Sequence, residues 1–366
     1  NQLGLSGEQL AAALDTADEV RLTSAALNNT SWPARHGTLL RGQPYLAELS
    51  WLRRSAGLDQ AYSLVGLIHT IAPPAVREQI AAAALAPTQA WDALVCTSPA
   101  VQQAMEGMFD GLAEHLTARL GATRTPRPQL PLIPLAVDTD RLARQGADQQ
   151  ARSALRERLS IADDDILVLW VGRLSYYEKA FPQSMFLAMR QASEQSNRRM
   201  HFALVGWFPG GEPEMQLYKQ AADLLAPDLN VLVMDGNDPH LVAQSWAAAD
   251  VFLSLVDNIQ ETFGLTPIEA MAAGLPVVVS DWDGYRYTVR DGVDGVLVPT
   301  LGSPGGLPGE LLAGLHSLEL EAYQNYVGAS AQHTAVHVQQ AAAALLRLAE
   351  SADQRRVMGA AAQQRA

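Results

Sequence analysis

Six short apolar runs recur through residues 166–299, and they constrain the fold more than any other feature of the sequence. They cover residues 166–171, 201–205, 230–234, 251–255, 276–280 and 295–299. Near-continuous apolar runs of this length are typical of parallel strands that are buried on both faces. The intervening segments predict helices at 181–195, 212–225, 239–249 and 267–273. The series therefore predicts a doubly wound α/β domain with a parallel sheet.

A shorter series of the same kind occupies the first third of the chain. Strands are predicted at 19–24, 62–70, 93–97 and 130–137. Helices are predicted at 1–14, 45–54, 75–85 and 98–120. The stretch 28–42 is rich in Asn, Pro and Gly and is predicted to be a loop.

The chain is too long for one ordinary core, since it has 366 residues. We expect two Rossmann-like domains, 1–138 and 139–366, with the polar stretch 138–150 linking them. Two open α/β sheets of this kind place a ligand in the cleft between them, at the carboxyl ends of the strands. The polar residues that follow the strands are therefore the candidate site residues.

Charge and cysteine content exclude several classes of function. The chain has 26 Lys and Arg against 39 Asp and Glu, a net charge of −13 without any basic block, which argues against a nucleic-acid partner. Cys96 is the single cysteine, so intrachain disulfides and cysteine-based metal sites are excluded. No apolar run approaches the ~20 residues of a spanning helix, although peripheral membrane contact stays open. We expect a cytoplasmic protein, and the sequence indicates no oligomeric state.

The stretch from Glu261 to Gly274 reads as a loop followed by a short helix. Thr266 is predicted to be the N-cap, Pro267 the first helical residue and Gly274 the stop. A helix N-terminus favours a phosphate, and carboxylates accept hydrogen bonds from sugar hydroxyls. Glu261 and Glu269 therefore suggest a phosphate that carries sugars. The alternative is structural: Thr266 and Glu269 form a capping box, and Glu261 is a solvated loop residue.

Two cations follow the run 166–171. Arg173 and Lys179 flank one loop, which begins with Gly172. A diphosphate suits this combination, because the guanidinium is a planar fork, the ammonium is a point charge and glycine lets the backbone approach. The alternative is a pair of solvated loop cations.

Weaker signals stand at other strand ends. His69 ends the run 62–70 and is either a structural or a functional histidine. Gly206 opens a Gly/Pro-containing stretch that either approaches a ligand or forms a turn, and we favour the turn. Gly4 and Gly7 are candidates to line the cleft from the first domain. Asp281-Trp-Asp283 has the spacing of a metal-binding pair.

Several motifs are missing from the sequence. It has no G-x-G-x-x-G after a strand and no G-x-x-x-x-G-K-[ST], which argues against dinucleotide dehydrogenases and P-loop NTPases. It has no G-x-S-x-G or H-E-x-x-H, which argues against serine hydrolases and zincins.

The residues between 165 and 299 resemble the retaining glycosyltransferases of the GT-B fold, in the large "group 1" family. The resemblance rests on Gly172-Arg173 with Lys179, on Glu261-x7-Glu269, and on Asp291-Gly-Val-Asp-Gly-Val-Leu-Val. Residues 93–98 and 133–138 support it upstream, whereas the first 60 or so residues match weakly. It implies a GT-B fold of two doubly wound Rossmann-like domains facing a central cleft, with the acceptor held by the first and the nucleotide-sugar donor by the second.

The resemblance also implies roles for residues at matching positions. Arg173 and Lys179 would grip the donor diphosphate, and Glu269 would bind the ribose. Glu261 would face the transferred sugar, with His69 near the reacting centre. The remaining donor-side residues implied are Gly172, Gly206, Phe263, Gly264 and Leu265, and Gly4 and Gly7 would lie on the acceptor side.

The resemblance implies transfer with retention of configuration, by a front-face route in which the leaving phosphate helps deprotonate the acceptor. A UDP- or GDP-sugar is the expected donor, and a sugar or lipid-linked hydroxyl the expected acceptor. Asp281 and Asp283 become an ordinary loop in the family pattern, so neither a metal nor a cofactor is expected. The missing last helix of the family predicts that the sequence is an incomplete version of the protein. A non-catalytic nucleotide-sugar-binding module is the alternative function.

Overall fold

The computed structural model describes Gln9, residues 25–26 and residues 28–366. Gly4, Gly7, the predicted strand 19–24 and the predicted helix 1–14 apart from Gln9 lie outside the described residues. The chain divides into two compact units. The first comprises Asn1–Leu67, Gln79–Leu94 and Phe109–Gln129, and the second Ile68–Glu78, Val95–Met108 and Leu130–Ala366. The predicted domain boundary at residue 138 stays a prediction.

The first part of the chain builds a small sheet with helices. Its elements are α1 (Ser31–His36), β1 (Thr38–Arg41), α2 (Leu46–Ser55), β2 (Ser63–Leu67), α3 (Pro74–Ala81), β3 (Ala93–Val95) and α4 (Pro99–Leu120). The sheet order is β1-β2-β3, and β1 runs parallel to β2. The loop predicted at 28–42 is wrong, because α1 and β1 lie there. β1 is an edge strand that alternates between exposed and half-buried residues, so its sequence carries no apolar run.

A buried ion pair ties the first unit together. Arg53 donates to both carboxylate oxygens of Asp92, at 2.9 and 2.7 Å, and both side chains are fully buried. Asp92 also accepts a hydrogen bond from the backbone N–H of Leu64 at 2.8 Å. The pair therefore joins α2 to β2 and to the segment before β3.

The second unit contains the longer alternating series. Its elements up to the last long strand are α5 (Thr139–Gly146), α6 (Gln149–Arg158), β4 (Ile166–Arg173), α7 (Pro182–Gln195), β5 (Met200–Trp207), α8 (Gly211–Leu225), β6 (Asn230–Asp235), α9 (Pro239–Ala248), β7 (Val251–Ser254), α10 (Leu265–Ala272), β8 (Val277–Ser280), α11 (Tyr285–Thr288) and β9 (Gly295–Val298). After them come β10 (Thr300–Leu301), α12 (Leu307–Ser317), α13 (Tyr323–Ala331), β11 (Ala335–Val336), α14 (Val338–Glu350) and α15 (Ala352–Arg365).

Six strands of this unit form one parallel sheet in the order β6-β5-β4-β7-β8-β9. Side chains of β4 alternate between two apolar cores. Val168 and Trp170 pack in the core with Phe186 of α7, and Leu169 packs in the opposite core with Met271 of α10. The sheet is therefore covered by helices on both faces, which confirms the predicted doubly wound architecture.

Several predicted boundaries differ from the structure. β4 and β5 each run two residues further than their apolar runs, because pairing continues through Gly172 with Gly206 and Arg173 with Trp207. The predicted linker 138–150 is mostly helical, since the Asp138 side chain caps α5 by accepting from the N–H of Arg141 at 2.9 Å. The predicted strand 130–137 is reduced to an isolated bridge between Leu132 and Cys96. No helix within the described part of the chain is long and apolar enough to cross a bilayer.

Candidate active site

The candidate site lies where the strand order of the second unit reverses, between β4 and β7. Parallel α/β sheets bind ligands at such a switch point, beyond the carboxyl ends of the strands. A cavity of about 40 Å³ occurs here. It is lined by Trp170, Val171, Gly172, Lys179, Ala180, Ser254, Val256, Glu261, Thr266 and Tyr285. The structure thus brings Gly172, Lys179 and Glu261 together, as the sequence predicted.

The predicted cations are both paired with carboxylates. Arg173 Nη1 lies 2.7 Å from Glu178 Oε2, and Lys179 Nζ lies 3.4 Å from Glu261 Oε2. About a third of each cationic side chain is exposed, at 34% and 32%. Arg173 is the last residue of β4 and not part of a loop beyond the strand. Each cation thus makes a specific ion pair, and its contact with a donor diphosphate stays a prediction.

Close backbone packing explains the glycines near the cavity. A Cβ on Gly206 would lie 1.9 Å from the carbonyl oxygen of Gly172, and a Cβ on Gly236 would lie 2.6 Å from the Cα of Gly206. Gly206 itself lies inside β5, and the favoured turn follows it at residues 208–211, where the N–H of Gly211 donates to the carbonyl oxygen of Phe208 at 3.0 Å. Because the strand packing alone requires glycine here, the predicted contact of Gly206 with a donor stays a prediction.

The helix α10 begins two residues earlier than predicted. Gly264, with φ of 84°, is its N-cap, so Thr266 is not the cap and Pro267 is the third helical residue. A Cβ on Gly264 would lie 1.9 Å from the ring of Tyr285, which leaves room for glycine alone. The N–H groups of Gly264, Leu265 and Thr266 have no acceptor within the helix, because the residues four positions before them lie outside it. They give this edge of the cavity the partial positive charge of a helix N-terminus.

The side chains around this N-terminus differ in exposure. Phe263 is buried at 4% exposure, whereas Leu265 is 39% exposed. The side chain of Phe263 is buried, so any contact of a ligand with this residue would come chiefly from its backbone. The contacts of Phe263, Gly264 and Leu265 with a donor stay a prediction.

Glu269 lies on α10 and is half-buried. Burial raises the pKa of its carboxyl, and the positive charge of Arg141 on α5 opposes that rise. No side chain caps α10, so the capping-box interpretation of Glu269 is wrong. Within the described ranges its carboxylate accepts no hydrogen bond, and it therefore retains its full capacity to accept from a ligand.

His69 lies next to the Glu261 loop in the second unit. Its side chain is exposed, two residues beyond the end of β2. Its carbonyl oxygen accepts a hydrogen bond from Thr262 Oγ1 at 2.9 Å. The structure thus places His69 beside the residue that follows Glu261, as expected from its position at a strand end. Its participation in chemistry stays a prediction.

Burial raises the pKa of two carboxyls near the Glu261 loop: Asp283, which the sequence offered as part of a metal-binding pair, and Asp257, which was not singled out. Burial and the charge of Glu261 raise the pKa of Asp283 to about 7. Its Oδ1 atom is buried without a partner among the described residues. Asp257 and Asn258, which begin three residues beyond the end of β7, are 3% and 0% exposed. The signal available in the sequence was the polar Asp-Asn pair that follows an apolar strand.

The described residues contain no group of three or more His, Cys, Asp or Glu side chains that could hold a metal ion. The expectation that the site needs no metal rests on the resemblance and stays a prediction. Asp281 of the Asp281–Asp283 pair forms an ion pair with Arg286, at 3.1 Å.

Comparison with solved structures identifies the fold. The structure of HepE from Anabaena, solved in complex with UDP and glucose, superposes with a TM-score of 0.58 over 92% of this chain and 74% of that chain, at 17% identity. A glycosyltransferase from Rickettsia africae gives 0.62 over 99% and 83%, at 13% identity. At these identities the likeness concerns the fold alone. The fold is the α/β GT-B fold of glycosyltransferases.

Comparison of sequences finds relatives of the second unit. Residues 151–307 match the family model described as "Glycosyl transferases group 1", and this segment belongs to that family. A stretch of 190 residues is 36% identical to a D-inositol 3-phosphate glycosyltransferase of Geodermatophilus obscurus, covering 51% of this chain and 40% of that relative. The chain thus matches less than half the length of this curated relative. The matched family segment holds every predicted site residue except His69, Gly4 and Gly7.

Proposed function

We propose that the chain is a retaining glycosyltransferase that moves a sugar from a nucleotide-sugar donor to a hydroxyl acceptor without a metal ion. One observation carries the proposal. Lys179, Glu261 and the uncapped N-terminus of α10 meet at one cavity beyond the β4–β7 switch point. Cation, carboxylate and backbone N–H groups at that place suit a sugar linked to a diphosphate.

The cations would act on the leaving group. Breaking the bond between sugar and phosphate develops negative charge on the diphosphate. Arg173, Lys179 and the N–H groups at the start of α10 would stabilise that charge, because they are fixed before the reaction and need little reorganisation. Removing one such donor typically costs a few kcal/mol of barrier.

The carboxylates would bind hydroxyl groups. Glu269 is half-buried and unpaired within the part of the chain that the structure describes, so it can accept hydrogen bonds from a ribose. Glu261 would face the transferred sugar once the diphosphate draws Lys179 away. His69 would lie near the reacting carbon, because its backbone holds Thr262. Retention by a front-face route follows from the family resemblance.

The nucleotide most favoured for a first test is UDP. HepE, which shares the fold, was solved with UDP, and the donor expected from the sequence is a UDP- or GDP-sugar. The curated relative is named for D-inositol 3-phosphate, so this polyol phosphate is the first acceptor to try. Because the match spans 40% of that relative, the name supports the choice of a probe and not an acceptor assignment.

The experiment is a donor screen on the full chain. UDP-, GDP- and ADP-sugars are offered with and without D-inositol 3-phosphate, and nucleotide release is measured with and without EDTA. We expect release from one donor class, unaffected by EDTA and lowered at least about tenfold by Glu269→Ala. Glu157→Ala, an exposed position on α6, is the matched control.

Three outcomes would contradict parts of the proposal. Failure to bind any of the three nucleotides in calorimetry would overturn it. Binding without turnover would favour a non-catalytic nucleotide-sugar-binding module. An inverted anomeric centre in the first product, read from its proton NMR spectrum, would overturn retention alone.

A further inference from the structure

The two polar residues that follow the β7 segment are buried. Asp257 is 3% exposed and Asn258 is fully buried. Burying an amide or a carboxylate is costly unless hydrogen bonds replace those lost to water. The partners of these side chains therefore show what the burial achieves.

Asn258 connects three segments of the second unit. Its side-chain Nδ2 donates to the carbonyl oxygen of Tyr177. Its Oδ1 accepts from the N–H of Gln260 at 2.8 Å, and its backbone carbonyl accepts from the indole of Trp282 at 3.0 Å. One side chain thus fixes the loop after β7 to the loop after β4.

Asp257 contacts the same loop on its other side. Its Oδ2 accepts from the N–H of Phe181 at 3.2 Å, and Phe181 is the N-cap of α7. Its Oδ1 is buried without a partner among the residues described. Burial raises the pKa of this carboxyl to about 7. Burying this carboxylate is unfavourable. The N-terminus of a 14-residue helix offsets part of that cost, because it favours a negative charge.

Lys179 stands midway between the two anchor points. Its own N–H donates to the carbonyl oxygen of Ser175 at 3.0 Å, so the short loop closes on itself. The side chains of Asp257 and Asn258 hold the backbone at Phe181 and Tyr177, two residues to either side. The ammonium group then reaches Glu261 at 3.4 Å.

We propose that Asp257 and Asn258 form a clamp that positions Lys179 for the diphosphate of the donor. This inference rests on the proposed function. Both are positioning residues, since neither side chain lines the cavity and both act through the backbone of residues 177–181. Replacing either residue should therefore weaken the binding of a nucleoside diphosphate and leave the binding of a nucleoside without phosphates unchanged.

The test compares UDP with uridine on the full chain. Kd for UDP is measured by calorimetry and Kd for uridine by ligand-observed NMR, for the unaltered chain, Asn258→Ala, Lys179→Ala and the double variant. We expect Asn258→Ala to weaken UDP binding about tenfold and uridine binding less than about twofold. We expect the double variant to bind UDP within about twofold of Lys179→Ala, because the clamp acts through that lysine. Asn325→Ala, an exposed asparagine on α13, is the control.

An equal loss of affinity for UDP and for uridine would overturn the clamp. It would also be overturned if the fold losses in UDP affinity of the two single variants multiplied in the double variant. Where Asn258→Ala lacks a cooperative thermal transition, Asp257→Asn decides in the same measurements. It keeps the side-chain shape, and we expect about a threefold loss for UDP alone. Absence of UDP, GDP and ADP binding by the unaltered chain would overturn the proposed function itself, a result distinct from failure of the clamp.

Discussion

Lys179 Nζ lies 3.4 Å from Glu261 Oε2, although the two residues are 82 positions apart in the sequence. Their loops follow β4 and β7, the strands on either side of the point where the sheet order reverses. Each partner lowers the cost of the other's charge in a part-buried place. A bound diphosphate would replace the carboxylate as the anion beside Lys179, which frees Glu261 for a sugar.

Replacing Lys179 with alanine is expected to weaken UDP binding about 10- to 100-fold, equivalent to about 1.4–2.8 kcal/mol. The variant lacks the positive charge that would face the diphosphate. Its Glu261 carboxylate also loses its ion-pair partner. The measurement is calorimetry at two ionic strengths, with a smaller salt dependence expected in the variant. The chain has one other lysine, Lys219, which is exposed on α8, and Lys219→Ala should leave Kd unchanged. Equal affinities of the two variants would contradict the assignment.

Replacing Glu178 with glutamine is expected to strengthen UDP binding about two- to tenfold. Glu178 holds Arg173 at 2.7 Å, so a donor diphosphate competes with this carboxylate for the guanidinium. Glutamine keeps a carbonyl oxygen that can accept from Gln324, which bonds Glu178 at 3.3 Å. Kd for UDP at low salt is the readout, and Glu157→Gln is the control. Weaker binding by Glu178→Gln would show that Glu178 supports the site and does not compete with the ligand.

Replacing Gly264 with alanine is expected to destabilise the protein by about 2–4 kcal/mol and to abolish UDP binding. The added Cβ would lie 1.9 Å from the ring of Tyr285, and φ of 84° strains an L-residue. Thermal unfolding and calorimetry measure the two effects. The control is Gly314→Ala in α12, where a Cβ meets nothing within 4 Å. It should stabilise slightly, since alanine favours helix. A Gly264→Ala protein with normal stability would contradict the packing argument.

Replacing Asp283 with asparagine is expected to change how stability depends on pH. Burial, reinforced by Glu261, raises the pKa of Asp283 from 3.8 to about 7. Between about pH 4 and pH 7 the folded state therefore binds more protons than the unfolded state, so the free energy of unfolding falls as pH rises through that window. Asparagine removes this contribution and tolerates the positive φ of 41° at this position.

The measurement for Asp283→Asn is Tm at pH 5, 6, 7 and 8. The Tm of the variant should exceed that of the unaltered chain by at least about 2 °C at pH 8, and the two Tm values should differ little at pH 5. Asp257, whose pKa burial also raises to about 7, contributes with the same sign in both proteins and cancels in the comparison. Asp223→Asn, exposed on α8, is the control. A constant offset between the curves at every pH would contradict the linkage.

Much of the fold was predictable because it depends on local patterns. Each apolar run became a strand of the six-stranded sheet, and the helices between them ended within two residues of their predicted ends. The runs alone required a sheet buried on both faces, which only a parallel arrangement with helical connections satisfies. The prediction failed for β1, because an edge strand needs no apolar run, and at 138–150, where side-chain capping by Asp138 starts a helix.

The site was partly predictable for the same reason. The carboxyl ends of parallel strands meet at one edge of the sheet. The residues after each run, including Lys179 and Glu261, were therefore expected to lie near one another. The start of α10 was misplaced, because the fit of Gly264 against Tyr285 involves residues 21 positions apart. No local pattern carries that information.

By itself, the sequence determined the strands, their parallel direction and which polar residues follow them, because hydrophobic periodicity and turn chemistry act over a few residues. The tertiary structure alone decided which charges pair, as with Arg173 and Glu178, and which acids lose their water, as with Asp257 and Asp283. Ion pairing and desolvation depend on distances and burial. Those follow from the order of strands in the sheet, which brings together loops that are distant in the chain.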